Sequence, residues 1–294
     1  MARYEPAIDL DAVRAIDVHT HVELDAHGNH SLDDELLAAS AAYFRSGENR
    51  APSLDDIAVH YRERSMAAVV FTVDSTTATG RPALSSEEIA EGAARNNDVL
   101  IPFGSVDPRQ GPRAVTAARR LVEEYGVRGF KFHPSLQAFA PNNEAFYPLY
   151  RAIQELGVVA LFHTGQTGIG AGLPGGRGIK LRYSDPMLVD DVAADFPDLS
   201  IVLAHPAVPW ADSAISIATH KANVYVDLSG WLPRYFPPQL THQLSRSLRT
   251  KALFGTDFPL IHPDRWLDSF AQLDITDDAK PLIFKDNAIR LLHL

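Results

Sequence analysis

Eight short apolar segments recur along this chain, and stretches with helical spacing lie between most of them. The segments are short enough to be β-strands, and most are rich in Val, Ile and Phe. Strands that alternate with helices imply parallel βαβ units, and near-continuous apolar runs are typical of strands buried on both faces. The predicted strands of this α/β chain are Ala15–His19, Ala67–Val73, Leu100–Ser105, Gly129–His133, Val158–His163, Ser200–His205, Val224–Leu228 and Ala252–Asp257.

Eight such units favour a closed (β/α)8 barrel, the TIM barrel, over the alternative of an open doubly wound sheet. Because such barrels routinely form one domain of this length, residues 1–294 are expected to be a single domain. Residues 22–65 exceed a simple connection and are expected to form a helical insertion after the first strand. Helices are predicted over Leu32–Phe44, Leu54–Arg64, Ser85–Asn97, Pro112–Tyr125, Asn143–Leu156, Pro186–Asp195, Ala211–Lys221, Pro237–Arg249 and Ala279–Leu292.

Composition excludes several classes of function. The net charge is −10, which disfavours a nucleic-acid partner. The sequence has no cysteine, so disulfides, thiolate nucleophiles and Cys-ligated metal sites are excluded. No run approaches the roughly 18 apolar residues of a membrane helix, and the start has no signal-peptide pattern. The expected protein is therefore cytoplasmic, with no membrane partner.

Polar side chains stand where the predicted strands end, and in a barrel the loops at these ends build the active site. Side chains alternate along a strand, so Asp17, His19 and His21 are expected to share one face, with Val18 on the other. If the strand ends meet at one rim, five imidazoles, a lysine and a carboxylate converge there. These residues are His19, His21, Lys131, His133, His163, His205 and Asp257.

This convergence predicts a metal site. Without thiolates, imidazole and carboxylate are the ligands suited to zinc, manganese or iron. An isolated histidine at a strand end is more often a satisfied polar residue, and an H-x-H pair alone is a weak signal. Lys131 has an alternative role as the partner of Asp17 in a buried ion pair.

Four phrases resemble the amidohydrolase superfamily, in the branch that contains aminocarboxymuconate-semialdehyde decarboxylase. They are G-F-K-F-H-P (129–134), F-H-T-G (162–165), L-A-H-P (203–206) and F-G-T-D-F-P (254–259). The resemblance implies that one divalent ion, zinc or alternatively manganese, activates water. It implies the ligands His19, His21, His163 and Asp257, with His205 and Asp257 as the catalytic acid/base groups. Lys131, which other branches carboxylate to bridge two metals, is expected to be unmodified.

The substrate is expected to be a small molecule bound by the loop after the fifth strand. Residues 164–184 are rich in glycine and carry Arg177, Lys180 and Arg182, which would suit carboxylate or phosphate groups. Two tryptophans are candidates for walls around an aromatic ring, although packing against a barrel helix is an equal alternative. The predicted substrate-binding residues are Lys131, His133, Gln166, Arg177, Arg182, Trp210 and Trp231.

Two reactions are compatible with these residues. The segments G-F-K-F-H-P-S-L-Q, H-T-G-Q-T-G-I-G and D-L-S-G-W resemble a subgroup associated with hydrolysis of 4-hydroxyphenyl-β-ketoacyl-CoA. This favours a metal-dependent hydrolase that cleaves a C–C bond of a CoA thioester by a retro-Claisen reaction. The alternative is non-oxidative decarboxylation of an aromatic or muconate-type acid. A non-enzymatic metal scaffold is disfavoured because His205 and Asp257 are both present. Related enzymes are often dimers, so a homodimer is one candidate assembly, although the sequence itself does not give the oligomeric state.

Overall fold

Eight parallel strands form the centre of the protein in a computed structural model that describes residues 3–44 and 51–294. All eight predicted strands are present, which confirms the (β/α)8 prediction. Their bounds are β1 Ala15–His21, β2 Met66–Phe71, β3 Leu100–Pro102, β4 Gly129–Phe132, β5 Val159–His163, β6 Ile201–Ala204, β7 Val224–Asp227 and β8 Ala252–Leu253.

The strands form two parallel sheets, ordered β1-β2-β3 and β4-β5-β6-β7-β8, which hydrogen bonds join at both edges. Between β3 and β4, the backbone N–H of Lys131 donates to the Gly104 carbonyl at 2.9 Å. Beyond β8, the His21 N–H donates to the Phe258 carbonyl at 2.8 Å, and the Asp257 N–H donates to the His19 carbonyl at 2.9 Å. These bonds bring the metal-ligand candidates of the first and last strands side by side.

Helices follow the strands as predicted, with small differences at their ends. The predicted helix over 279–292 contains a π-turn at Leu282–Asp286, and Pro263–Phe270 is a helix that was not predicted. Within the described residues, no helix has the length and apolar character required to cross a membrane. The helices are α1 Asp34–Phe44, α2 Leu54–Arg62, α3 Thr76–Thr79, α4 Ser86–Arg95, α5 Pro112–Glu123, α6 Pro134–Gln137, α7 Tyr147–Glu155, α8 Met187–Asp195, α9 Ala211–His220, α10 Pro238–Leu244, α11 Pro263–Phe270, α12 Ala279–Pro281 and α13 Asn287–Leu292.

The strands bury one face inside the ring and the other against the helices. Phe130 and Phe132 belong to the outer apolar cluster, together with side chains of the surrounding helices. Ile16 and Leu161 belong to the inner cluster, to which most strands contribute alternate residues. Lys131 lies between Phe130 and Phe132 in sequence and therefore points inward, where it is completely buried.

The expected alternation along β1 is wrong, because the strand contains a bulge. Asp17 pairs with Ala68 of β2, whereas Thr20 pairs with Val70, so β1 has one extra residue between these pairs. A bulge of one residue reverses the faces that follow it. Asp17 consequently points outward and accepts a 2.6 Å hydrogen bond from the Tyr61 hydroxyl of α2. Val18 instead belongs to the inner cluster.

Most strands, including β6 and β8, end earlier than the apolar runs predicted, whereas β1 extends further, to His21. His205 and Asp257, the last residues of the two predicted strands, have φ values of +70° and +71°. A left-handed backbone cannot continue a β ladder, so the chain turns at these residues. Both side chains are buried at the end of the barrel where the active site was expected.

A cap formed by residues 32–44 and 164–184 covers this end of the barrel. Gln166 Nε2 donates a 2.7 Å hydrogen bond to the Tyr43 hydroxyl of α1. At Gly168 the approach is so close that a Cβ atom would lie 2.4 Å from Cε2 of Phe44. Leu32 and Ile179 belong to one small apolar cluster that joins the two segments. The insertion and the glycine-rich loop therefore form one wall over the barrel.

Candidate active site

Three potential ligand atoms meet at the centre of the barrel end. His19 Nε2 and His21 Nε2 lie 3.3 Å apart. Asp257 Oδ1 lies 3.3 Å from His19 Nε2 and 3.1 Å from His21 Nε2. The bulge in β1 and the turn after β8 produce this cluster, since they direct all three side chains inward.

These separations fit the coordination of one metal ion. Atoms held about 2.0–2.2 Å from a tetrahedral ion lie roughly 3.3–3.6 Å from one another, close to the distances observed here. Among the described residues, the potential ligand atoms of His19, His205 and Asp257 all lie within 4.8 Å of one another. The donor set contains neutral nitrogen and carboxylate oxygen, which suits zinc or manganese.

His163 and His205 face each other beside this cluster. His205 Nε2 lies 2.9 Å from His163 Nδ1, and His163 Nε2 is buried without a hydrogen-bond partner. The ring of His133 stacks on that of His163, with 3.8 Å between the centroids and 8° between the planes. His133 Nδ1 accepts the backbone N–H of Leu136, so His133 orients His163 at the same time as it lines the pocket.

The surroundings of the site lower the pKa of its histidines and so favour neutral imidazoles, except at His21. Burial, followed by the charge of Lys131, lowers the pKa of His19 to about 3, and burial also lowers the pKa of His163 and His205. Burial alone would lower the pKa of His21, but the hydrogen bonds that its ring donates to Asp257 and Glu23 raise it to about 9. A histidine binds a metal ion only through its neutral ring. A cation bound by His21 and Asp257 would therefore displace the His21 proton and take its place as the partner of the Asp257 carboxylate.

Lys131 is not the partner of Asp17. Its Nζ atom lies 2.9 Å from His19 Nε2, and burial lowers its pKa to about 8. Asp17 accepts its hydrogen bonds from Tyr61 and Thr256 on the outer side of β1. The alternative of a buried Lys131–Asp17 ion pair is therefore wrong, because the bulge separates the two side chains onto opposite faces of the barrel wall.

Two residues that the sequence analysis did not single out hold the histidines in place. Asp227, at the end of β7, has Oδ2 2.8 Å from His19 Nδ1. Ser229 Oγ lies 3.0 Å from His19 Nδ1 and 2.9 Å from His205 Nδ1. An ionised carboxylate only accepts hydrogen bonds, so Asp227 keeps the His19 proton on Nδ1 and leaves the Nε2 atom of His19 without a proton. Its position at a strand end was the signal that could have identified Asp227.

A pocket of about 130 Å³ opens above the cluster, between the strand ends and the cap. Of the predicted substrate-binding residues, His133, Gln166 and Trp231 line it. Leu32, Leu37, Phe44 and Leu260 give much of the remaining wall an apolar character. No Lys or Arg is among its described lining residues.

The other predicted substrate-binding residues lie outside this lining. Arg177 forms ion pairs with Asp33 and Glu35 at the start of α1, and the Arg182 guanidinium lies over the ring of Tyr183. Trp210 is half-buried where α9 begins. The acidic insertion thus neutralises Arg177, the first of the three basic residues that were expected to face the substrate. Lys131 is completely buried.

The arrangement of histidines and aspartate at the ends of a parallel barrel matches a known family. A family model described as amidohydrolase matches residues 16–294. The chain belongs to the amidohydrolase family. The family resemblance stated from the sequence motifs is thereby confirmed. No curated protein matches this amidohydrolase.

Solved structures share the amidohydrolase fold at low sequence identity. An uncharacterised TIM-barrel protein from Bordetella bronchiseptica is 22% identical, with a TM-score of 0.77 and coverage of 96% of this chain and 99% of that one. A 5-carboxyvanillate decarboxylase from Novosphingobium aromaticivorans, complexed with manganese and 4-hydroxy-3-methoxy-5-nitrobenzoic acid, is 14% identical, with a TM-score of 0.67 and full coverage of both chains. A dihydroxybenzoic acid decarboxylase from Polaromonas, with manganese and 2-nitroresorcinol, is 19% identical, with a TM-score of 0.67 and coverage of 96% and 97%.

Proposed function

We propose that this amidohydrolase is a metal-dependent, non-oxidative decarboxylase of a small aromatic acid. The observation that carries the proposal is a largely apolar pocket lined by His21 and Asp257, which form one donor cluster with the buried His19. The decarboxylase names of two structural neighbours support the same reaction class. This reverses the preference for hydrolysis that the sequence motifs favoured.

The proposed ligands are His19, His21, His163 and Asp257, and the proposed ion is zinc or manganese. When bound, a divalent ion would supply positive charge that attracts the substrate carboxylate and offsets the negative charge that develops on the ring. The chain orients His19 through Asp227 and His163 through the stacked ring of His133. Leu260 and Trp231 would exclude water from the ring, which strengthens electrostatic interactions inside the pocket.

Decarboxylation requires a proton at the ring carbon that loses CO2. The C–C bond breaks, its electron pair stays on that carbon, and a new C–H bond takes up the pair. We assign the proton to His205, because its ring lies in the pocket wall and Ser229 fixes its orientation. This proton stays in the product, so His205 must take up another from solvent before the next turnover. Burial lowers the pKa of His205, and the charge of the Asp257 carboxylate opposes this and would favour the protonated ring.

Hydrolysis of an aryl β-ketoacyl-CoA is the competing candidate, supported by the sequence motifs around His133 and His163. Its long CoA portion would need cationic side chains for the phosphates. Arg177 is engaged by Asp33 and Glu35, and no described residue that lines the pocket is Lys or Arg. These contacts favour a small aromatic acid as substrate over a CoA thioester.

The two reactions are separated by their products. We expect metal-loaded protein to release CO2 from at least one hydroxybenzoate or related aromatic acid, and to leave an aryl β-ketoacyl-CoA intact. Measurement of CO2 together with free CoA esters tests this directly. Release of acetyl-CoA without any CO2 would overturn the proposal in favour of the hydrolase.

The assignment of His205 is tested by His205→Asn, since asparagine tolerates the positive φ at this position. Loss of a general acid should lower kcat about 10²- to 10⁴-fold while metal content stays close to that of the wild type. His220→Asn is the matched control, because His220 is exposed on α9. A kcat for His205→Asn within a factor of three of the control would remove His205 from proton transfer.

A further inference from the structure

Two polar atoms on the insertion side of the pocket have no hydrogen-bond partner. They are Nδ1 of His30 and Oγ of Ser40, and both residues line the pocket. Ser40 lies on α1 and is only 8% exposed. His30 lies in the segment after β1, where an isolated antiparallel bridge to Leu24 fixes the backbone.

An unpartnered polar atom in a buried position is costly, so the great majority of such atoms in proteins have a partner. Other polar side chains of this pocket are satisfied within the chain. Gln166 donates to Tyr43, and His133 Nε2 lies 3.3 Å from the Thr167 hydroxyl. His163 Nε2 is also unpartnered, but it belongs to the proposed metal-binding cluster. Ser40 Oγ and His30 Nδ1 therefore lie outside the metal-binding cluster and are available to a ligand that enters the pocket.

We propose that Ser40 and His30 form a specificity subsite that binds a neutral hydroxyl substituent on the ring of the substrate. This inference rests on the proposed function, because it assumes that the pocket holds an aromatic acid. A serine hydroxyl donates and accepts, and a neutral imidazole Nδ1 does one or the other according to its tautomer. A phenolic hydroxyl also donates and accepts, so its hydrogen-bonding groups are complementary to those of both atoms.

The charge nearby favours a hydroxyl over a second carboxylate. Glu23 lines the same pocket and lies with Oε1 3.3 Å from His21 Nδ1. Its other oxygen accepts a hydrogen bond from the Ser31 hydroxyl, so contacts on both sides fix the carboxyl group at this wall of the pocket. A second anionic group on the ring would meet Glu23 without a free Lys or Arg among the described lining residues. The Glu23 carboxyl group thus favours a hydroxylated aromatic monocarboxylic acid over a dicarboxylic acid as the substrate of this subsite.

Binding rather than turnover tests the subsite. Benzoate and 2-, 3- and 4-hydroxybenzoate would be titrated calorimetrically into metal-loaded protein in the His205→Asn background, which limits consumption of the ligands. We expect one hydroxybenzoate isomer to bind about tenfold or more tightly than benzoate. Ser40→Ala, and separately His30→Leu, should reduce this preference to within about twofold while benzoate affinity is retained.

Tyr4→Phe is the matched control, since it also removes a buried hydroxyl that has no partner, but far from the pocket beside Gly126. It should leave the preference unchanged. Two results would overturn the subsite. In the first, the acids bind but no hydroxybenzoate isomer is preferred over benzoate. In the second, a preference survives both Ser40→Ala and His30→Leu, and water then satisfies Ser40 Oγ and His30 Nδ1. Absence of binding by all four acids contradicts the proposed function itself, so the two failures are distinguishable.

Discussion

The direction of each imidazole at the site depends on a partner that lies far away in sequence. Asp227 contacts His19 across 208 residues, and Ser229 lies between the rings of His19 and His205. Gly230 completes this support, because a Cβ atom there would lie 2.5 Å from His205 Nδ1. The candidate metal ligands and acid/base groups were identifiable from their positions at strand ends. The contacts by which Asp227, Ser229 and Gly230 orient them were not.

Asp227→Asn should weaken metal binding about 10- to 100-fold, because an amide no longer enforces the Nδ1 proton of His19. Competition with a chromogenic chelator measures the metal affinity independently of activity. Asp212→Asn, at an exposed site on α9, is the control and should bind metal as the wild type does. Unchanged affinity in Asp227→Asn would contradict the role assigned to this carboxylate.

Local irregularities in the strands and loops determine how the elements meet. The bulge in β1 directs His19 and His21 inward and Asp17 outward, and no local feature of the segment A-I-D-V-H-T-H identified it. The glycine-rich loop was predicted to contact substrate through its basic residues. Instead, Arg177 binds the acidic start of α1, an outcome that depends on where the insertion folds.

Arg177→Ala should loosen the cap rather than the catalytic groups. We expect KM to rise about two- to fivefold with kcat nearly unchanged, because an exposed ion pair contributes up to about 1 kcal/mol. Steady-state kinetics on the acid that releases CO2 provide the measurement. Arg119→Ala is the control, because it breaks a comparable surface ion pair between Arg119 on α5 and Glu155 on α7. It should leave both KM and kcat unchanged. A drop in kcat of tenfold or more would instead place Arg177 close to the reaction.

At the scale of the whole molecule, one site unites both sheets of the barrel. The proposed ligands come from β1, β5 and the turn after β8, which belong to different sheets. A ligand that binds only the folded state stabilises it by mass action. Metal binding is therefore expected to stabilise the entire barrel as well as the site.

Removal of metal with a chelator should abolish CO2 release and lower the melting temperature. Restoring free zinc or manganese to 100 times its dissociation constant should raise the free energy of unfolding by about 2.7 kcal/mol. Denaturant titrations with and without metal measure this difference, and metal analysis verifies the removal. Full activity of demonstrably metal-free protein would exclude the proposed metal mechanism, and an unchanged stability would show that the ion does not bind the folded state in preference to the unfolded chain.

The sequence by itself determined the barrel, the order of its elements and which residues are proposed as metal ligands and acid/base groups. Apolar runs and helical spacing are local patterns, and His205 and Asp257 stand at strand ends that the topology brings to one rim. Only the tertiary structure decided that Asp17 faces outward, that Asp227 orients His19 and that Arg177 is neutralised by the insertion. These outcomes depend on a bulge, on contacts between distant segments and on burial, none of which is encoded in a single local stretch of the chain.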